Sequence, residues 1–407
     1  MKKLILASAL LLTSIFGRAE ACLFQSVQKS PDGFVINGTL KGNAENARVS
    51  LISGVSNTTG EPVYVAQALV KNGKFQLKGR LEGPKSCQLY ILLADTTLAD
   101  EDRNLEHYFY VENAVITFDA DVATMASAYY YSDKRQVIPV VTGSVTEALS
   151  NELKSRLKDV TAKRDVLLDK LGNEYYIPSK EGKDVTATGI KYQRELEPLE
   201  KQREAIIIEF IKKHAASIVA VDKAREITTF ESKTLDQYNE ILSALEPAWA
   251  GKPDFEEFKK RINTKKNMAI GVKIPDAEFL TETGEKASLY SLLPKDGYAL
   301  VEFWASWCGP CRDEISHLKK VKEKYPELSM LSLSIDEKDA DWKRALQEEG
   351  MTWTQLNYPP SLGDKMETQY GIGGIPAGFV VDKEGKIIAT DMRGPALDKL
   401  LLELYGR

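Results

Sequence analysis

The sequence predicts a multidomain chain with an N-terminal antiparallel β-rich domain, a middle α-helical region and a C-terminal α/β fold. Three observations predict it. Apolar residues alternate in short runs from residue 31 to about 120. They recur at three- and four-residue steps from about 145 to 268. From Gly271 onward, buried-strand and helix segments take turns. At 407 residues the chain is long enough for two or three domains, and 43% hydrophobic residues let each bury a core.

Composition removes several function classes. Lys and Arg number 54 against 59 Asp and Glu, a net charge of -5, so the chain has no electrostatic footprint for nucleic acid. With 4 Cys and 3 His it is neither a disulfide-dense scaffold nor a multi-histidine metal centre.

Residues 1–21 read as a secretion signal. Lys2 and Lys3 open it, residues 4–16 form an apolar run too short for a comfortable membrane span, and Ala19-x-Ala21 supplies a cleavage pattern. The expected location is the cell envelope or periplasm. Cys22 follows directly and is a candidate lipid-modified first residue, which would tether the chain to a membrane. Ala19 and Glu20 match lipoprotein signals poorly, so the alternative is ordinary cleavage with Cys22 free or paired with Cys87.

Residues 22–130 form the β-rich domain. Residues 34–40 and 47–52 alternate, 63–70 and 74–79 flank an Asn72-Gly73 turn, and 88–93, 108–111 and 114–118 complete an antiparallel sandwich or small barrel. Residues 131–268 form the helical region. Leu149, Leu153, Leu157 and Val160 mark one helix, and Tyr192, Leu196, Leu199, Ile207 and Ile211 a second. A third is expected over 232–245, ending before Pro247, with 172–189 a loop. Residues 269–407 open with a hairpin around Pro275-Asp276 and Gly284. Strands follow at 298–304, 329–335, 379–382 and 386–390, with helices at 315–325, 341–349 and 396–404.

One motif carries chemistry. Trp304-Ala305-Ser306-Trp307-Cys308-Gly309-Pro310-Cys311 follows a buried strand and opens a helix. The C-x-x-C spacing puts two thiols within reach of a disulfide. Cys308 falls at the helix N-terminus, where unpaired N–H groups and the helix dipole favour thiolate, making it the nucleophile. Cys311, inside the helix, resolves the mixed disulfide. Pro310 is tolerated because first-turn N–H groups lack intrahelical partners.

Residues 269–407 resemble the thioredoxin superfamily, within it the TlpA/ResA-like group of extracytoplasmic thiol–disulfide oxidoreductases. The resemblance rests on F-W-A-S-W-C-G-P-C-R at 303–312, the Pro-Asp hairpin and a late Gly374-Ile375-Pro376. The preceding segments, with F-x-I-x-G and N-G-K-F, resemble a recurrent β-rich companion domain of unknown function. The thioredoxin resemblance implies that Pro376 is the cis-proline beside the disulfide and that an incoming extended chain pairs with its backbone. It implies that Glu302, six residues before Cys308, is a buried acid able to shuttle the proton of Cys311, and it matches Glu314, three after Cys311, to a helical Glu of the ResA-like group. Trp307 is expected as a packing lid over the thiols. Gly309-Pro310 is the thioredoxin pair, which leans toward reduction. Ala377-Gly378 stands where relatives often have Thr, which leaves substrate preference open.

The expected function is an extracytoplasmic oxidoreductase reducing protein disulfides, with the Cys308–Cys311 disulfide in place of a cofactor and an upstream thiol donor as partner. Zinc is disfavoured by a lone C-x-x-C with only His317 nearby, and covalent haem by Arg312 where His is needed. Peroxide reduction is disfavoured by Ala305 and Val301 at the places of that pattern's Thr and Pro. The alternative reading is a cell-envelope docking protein whose redox domain is accessory.

Overall fold

A computed structural model describes residues 32–56, 58–129, 137–229, 233–358 and 370–407. The secretion signal and Cys22 lie outside the described residues, and so does one end of the suggested Cys22–Cys87 pairing. The chain divides into two compact units between Ala148 and Leu149.

The first unit is a sandwich. Its elements are β1 (Phe34–Lys41), β2 (Arg48–Val55), β3 (Pro62–Leu69), β4 (Lys74–Gly79), β5 (Lys85–Leu92), a single turn α1 (Asp100–Arg103), β6 (Asn104–Val111), β7 (Val115–Asp121) and β8 (Val140–Thr142). They form two four-stranded sheets, ordered β4-β1-β7-β8 and β3-β2-β5-β6. Alternation sends Phe34, Ile36 and Leu77 from one sheet and Val49, Leu51, Leu89 and Ile91 from the other into one core. Gly38 stands opposite Phe75, and a Cβ there would fall within 2.0 Å of the Phe75 ring, so the glycine makes room for the aromatic. Asn72 and Gly73 both take positive φ, as the tight β4 turn requires. Two features differ from expectation. The β1–β7 pair is parallel, because the chain crosses to the second sheet and back between these two neighbours. The sheet also reaches past residue 131, since β8 pairs with β7.

The second unit holds the helices α2 (Val145–Leu171, begun just before the boundary), α3 (Ile177–Lys180), α4 (Thr186–Lys213), α5 (Ile218–Thr229), α6 (Leu235–Trp249) and α7 (Pro253–Lys265). Residues 172–189 are not the expected loop: a π turn at Gly172–Tyr176 runs into α3, and α4 starts at Thr186. Tyr175, buried against Leu171, Tyr192 and Leu196, anchors that segment. Helix α6 also runs past Pro247. A proline this close to a helix end removes one hydrogen bond, and the Trp249 indole, donating to the Ala215 carbonyl at 2.7 Å, holds the last turn.

The same unit contains β9 (Glu278–Thr281), β10 (Lys286–Ser288), β11 (Tyr298–Trp304), α8 (Gly309–Lys324), β12 (Ser329–Ser334), α9 (Asp339–Glu349), β13 (Thr354–Asn357), β14 (Ala377–Asp382), β15 (Ile387–Thr390) and α10 (Gly394–Tyr405). The sheet order is β10-β9-β13-β12-β11-β14-β15. Interior β11 pairs parallel with β12 and antiparallel with β14. Leu300 and Trp304 pack with Ile315, Leu318, Leu397 and Leu401 on the α8–α10 face, while Val301 and Phe303 pack on the other. Glu302 has the parity of Leu300 and Trp304, so it points toward α8. The helical region packs on α10: Glu197 pairs with Lys399 at 3.0 Å, and a Cβ at Gly189 would fall 2.6 Å from the Tyr175 ring and 2.8 Å from Pro395.

Candidate active site

Strand β11 delivers the chain to the site, and the turn after it is pinned. The Ser306 N–H and hydroxyl donate to the Asp336 carboxylate at 2.8 and 2.6 Å, and Ser334 Oγ donates to it at 2.7 Å. Cys308 is the N-cap of α8. Its Sγ accepts the Cys311 backbone N–H at 3.2 Å, the bond that would stabilise a thiolate there. Pro310 occupies the first turn. Cys308 and Cys311 are joined as a disulfide. Both are buried, while Gly309 and Pro310 are exposed beside them. Trp307 is 69% exposed, so it presents its indole to solvent and is not packed as a lid.

The Ile375–Pro376 bond is cis, and the Ile375 carbonyl oxygen lies 3.9 Å from Cys308 Sγ. Backbone at the head of β14 is therefore beside the sulfur that a partner chain would approach.

Glu302 is 5% exposed. Burial pushes its carboxyl up to about 8. Glu314 adds to the rise, whereas the Ser332 hydrogen bond and His317 oppose it. Ser332 Oγ donates to Glu302 at 3.0 Å and accepts the Trp353 indole N–H at 2.9 Å. Ser332 and Trp353 were not among the sequence-predicted residues, and no motif marks them.

Glu314 Oε1 accepts the Gly394 N–H at 2.7 Å and faces His317 Nδ1 at 2.7 Å. His317 Nε2 lies 2.9 Å from Asp398 Oδ1. The Glu314-x-x-His317 spacing could have flagged the first contact, whereas Asp398 comes from α10, 81 residues on. Burial alone would lower the His317 imidazolium, but hydrogen bonds to Asp398 and Glu314 and their charges lift it to about 9.

A strand-end dithiol capping a helix, beside a cis-proline and above a buried acid, has the parts needed to exchange thiols with a disulfide. The comparisons agree. The AhpC/TSA family model matches residues 270–390, and a domain of unknown function, DUF4369, matches 34–149. The thiol-disulfide oxidoreductase ResA of Bacillus anthracis is 30% identical over 128 residues, covering 30% of this chain and 70% of that protein.

The chain belongs to the ResA-like thiol-disulfide oxidoreductases.

Another member, the thiol:disulfide interchange protein HelX of Rhodobacter capsulatus, is 31% identical over 134 residues, which is 33% of this chain and 73% of HelX. A solved thioredoxin domain of a Bacteroides vulgatus thiol-disulfide oxidoreductase is 30% identical, covers 33% of this chain and 96% of its own, and has a TM-score of 0.32. Its likeness to ResA and HelX makes this chain an enzyme, a thioredoxin-like protein disulfide oxidoreductase. It carries a sheet-rich N-terminal region and a helical middle ahead of the thioredoxin-like sheet domain.

Proposed function

We propose that this oxidoreductase reduces protein disulfides outside the cytoplasm through the Cys308–Cys311 dithiol. The observation that carries the reading is the Cys311 N–H aimed at Cys308 Sγ at the start of α8, beside cis-Pro376. The Cys308 thiolate attacks one sulfur of the substrate disulfide. A Cys308–substrate bond forms and the other substrate sulfur leaves as a thiolate. Cys311 then gives its proton to the Glu302 carboxylate and attacks the Cys308 sulfur. The first substrate thiolate departs, and two electrons have passed to the substrate. Glu302 passes its proton on to water or product, and an upstream thiol donor restores the dithiol. Pro376 holds the Ile375 backbone where an extended substrate chain can pair with it. Exposed Trp307, Gly309 and Pro310 form the rim the partner meets. The leader-like residues 1–21 support an envelope location, and Cys22 a membrane tether.

The test is a trap. A Cys311→Ser chain expressed in its own compartment should accumulate disulfide-linked adducts on Cys308 that dithiothreitol releases. Absence of any adduct would rule the attack model out.

A further inference from the structure

His317 is a buried ionisable group beside this site that the reaction above leaves unused. It lies on α8, three residues after Glu314 and six after Cys311. Its ring nitrogens stand 2.7 Å from Glu314 Oε1 and 2.9 Å from Asp398 Oδ1. Carboxylates only accept, so an imidazole bonded to two of them carries both ring protons and is a cation. Its side chain is 12% exposed, against 17% for Glu314 and 7% for Asp398, so water screens the three charges weakly.

Two carboxylates contact this cation, and Glu302 and Tyr175 are tied to the cluster through charge. Glu314 comes from α8, Asp398 from α10, Glu302 from β11 and Tyr175 from the π turn of the helical region. The Tyr175 phenol lies where a Cβ at Gly394 would be 3.6 Å from its oxygen. Burial first, and then the Asp398 and Glu314 charges, hold that phenol protonated. The cluster is therefore one positive charge between two negative ones, roofed by a neutral phenol. Of the four groups, Glu302 alone exchanges a proton during the reaction proposed above.

We propose that His317 is a positioning residue for thiol–disulfide exchange: as the cation between Glu314 and Asp398, it fixes the charge beside Glu302 and keeps that carboxyl able to take the Cys311 proton near neutral pH. The inference rests on the dithiol reading of the site. Without the cation, the Glu314 charge is held by the Gly394 N–H with no positive imidazole beside it. Glu302 then keeps its proton to higher pH, Cys311 loses its base, and the mixed disulfide on Cys308 resolves more slowly. Glu314 and His317 push Glu302 in opposite directions, which gives the idea its test.

The full-length dithiol form is mixed with a small aromatic disulfide, and the release of the second aromatic thiol is followed from about pH 5 to about pH 9. His317→Gln should move the inflection of that resolving step upward by about one unit, and Glu314→Gln should move it downward. The double variant should fall back toward wild type. A purely structural clamp would lower the melting temperature of both single variants without opposite shifts. Superimposable pH profiles, or shifts of the same sign, overturn the inference while leaving the dithiol reading intact. Should His317→Gln fail to fold, Glu314→Gln alone decides: a profile unmoved or moved upward overturns the proposal. Wild-type protein that leaves the disulfide untouched sinks the dithiol reading itself, and this inference with it.

Discussion

Glu302 is a carboxyl in the interior of a sheet, held by one serine hydroxyl and surrounded by apolar side chains. Removing an ionised carboxylate from water is costly, so the neutral form predominates in the native chain near pH 7, and the carboxylate fraction that can take a proton grows as pH approaches about 8. Its pKa rises from 4.5 in the unfolded chain to about 8 in the fold. Between those values the native state holds a proton that the unfolded state has lost. The resulting stability is complete below the unfolded value and disappears as pH climbs through the folded one. Glu302→Gln should flatten this dependence. Urea unfolding of the oxidised protein should show wild type losing stability relative to Glu302→Gln, at up to about 1.4 kcal/mol per pH unit across the window. Parallel curves for the two proteins would mean that Glu302 is solvated. Placement of this acid was legible because one contiguous motif fixes both the strand and its parity. Its partners were not. Ser332 and Trp353 come from other stretches, and His317 meets Asp398 only when α8 and α10 pack.

At the scale of elements, what sequence showed depended on how concentrated the apolar signal was. Residues 298–304 are apolar but for Glu302, and the strand falls where the pattern put it. Helix α7 is not legible in the sequence, because only Phe255, Phe258 and Ile262 are buried in an otherwise charged run. The π turn is not legible either, because Gly172 and Pro178 read as loop residues, whereas burial of Tyr175 overrides that local preference. The parallel β1–β7 pair depends on the path of the chain, which alternation does not encode. Gly189 offers a test of the helical region's grip on α10. Any side chain there must displace the Tyr175 ring or Pro395. Gly189→Val should destabilise the second unit by about 1–3 kcal/mol. A melting curve shows it, and an unchanged midpoint would mean that the contact is loose.

For the whole molecule, the boundary between compact units matters more than the boundary between segment types. Helices α4 to α7 belong with the thioredoxin-like sheet, although their sequence looks like a separate region. The helical residues that face α10, Tyr175 and Glu197 among them, are thus part of the body that holds the dithiol. The β-sandwich is a unit to itself, with its own closed core. The activity depends on the sulfurs of Cys308 and Cys311 acting as one redox couple. Equilibrating the full-length chain with defined dithiol buffers and counting alkylated thiols measures this directly. Both cysteines should titrate together as a single two-electron transition, near the about -270 mV of reducing thioredoxins. A pair that stays oxidised or reduced across the whole buffer range, or that titrates near the about -120 mV of a strong oxidant, would contradict this expectation.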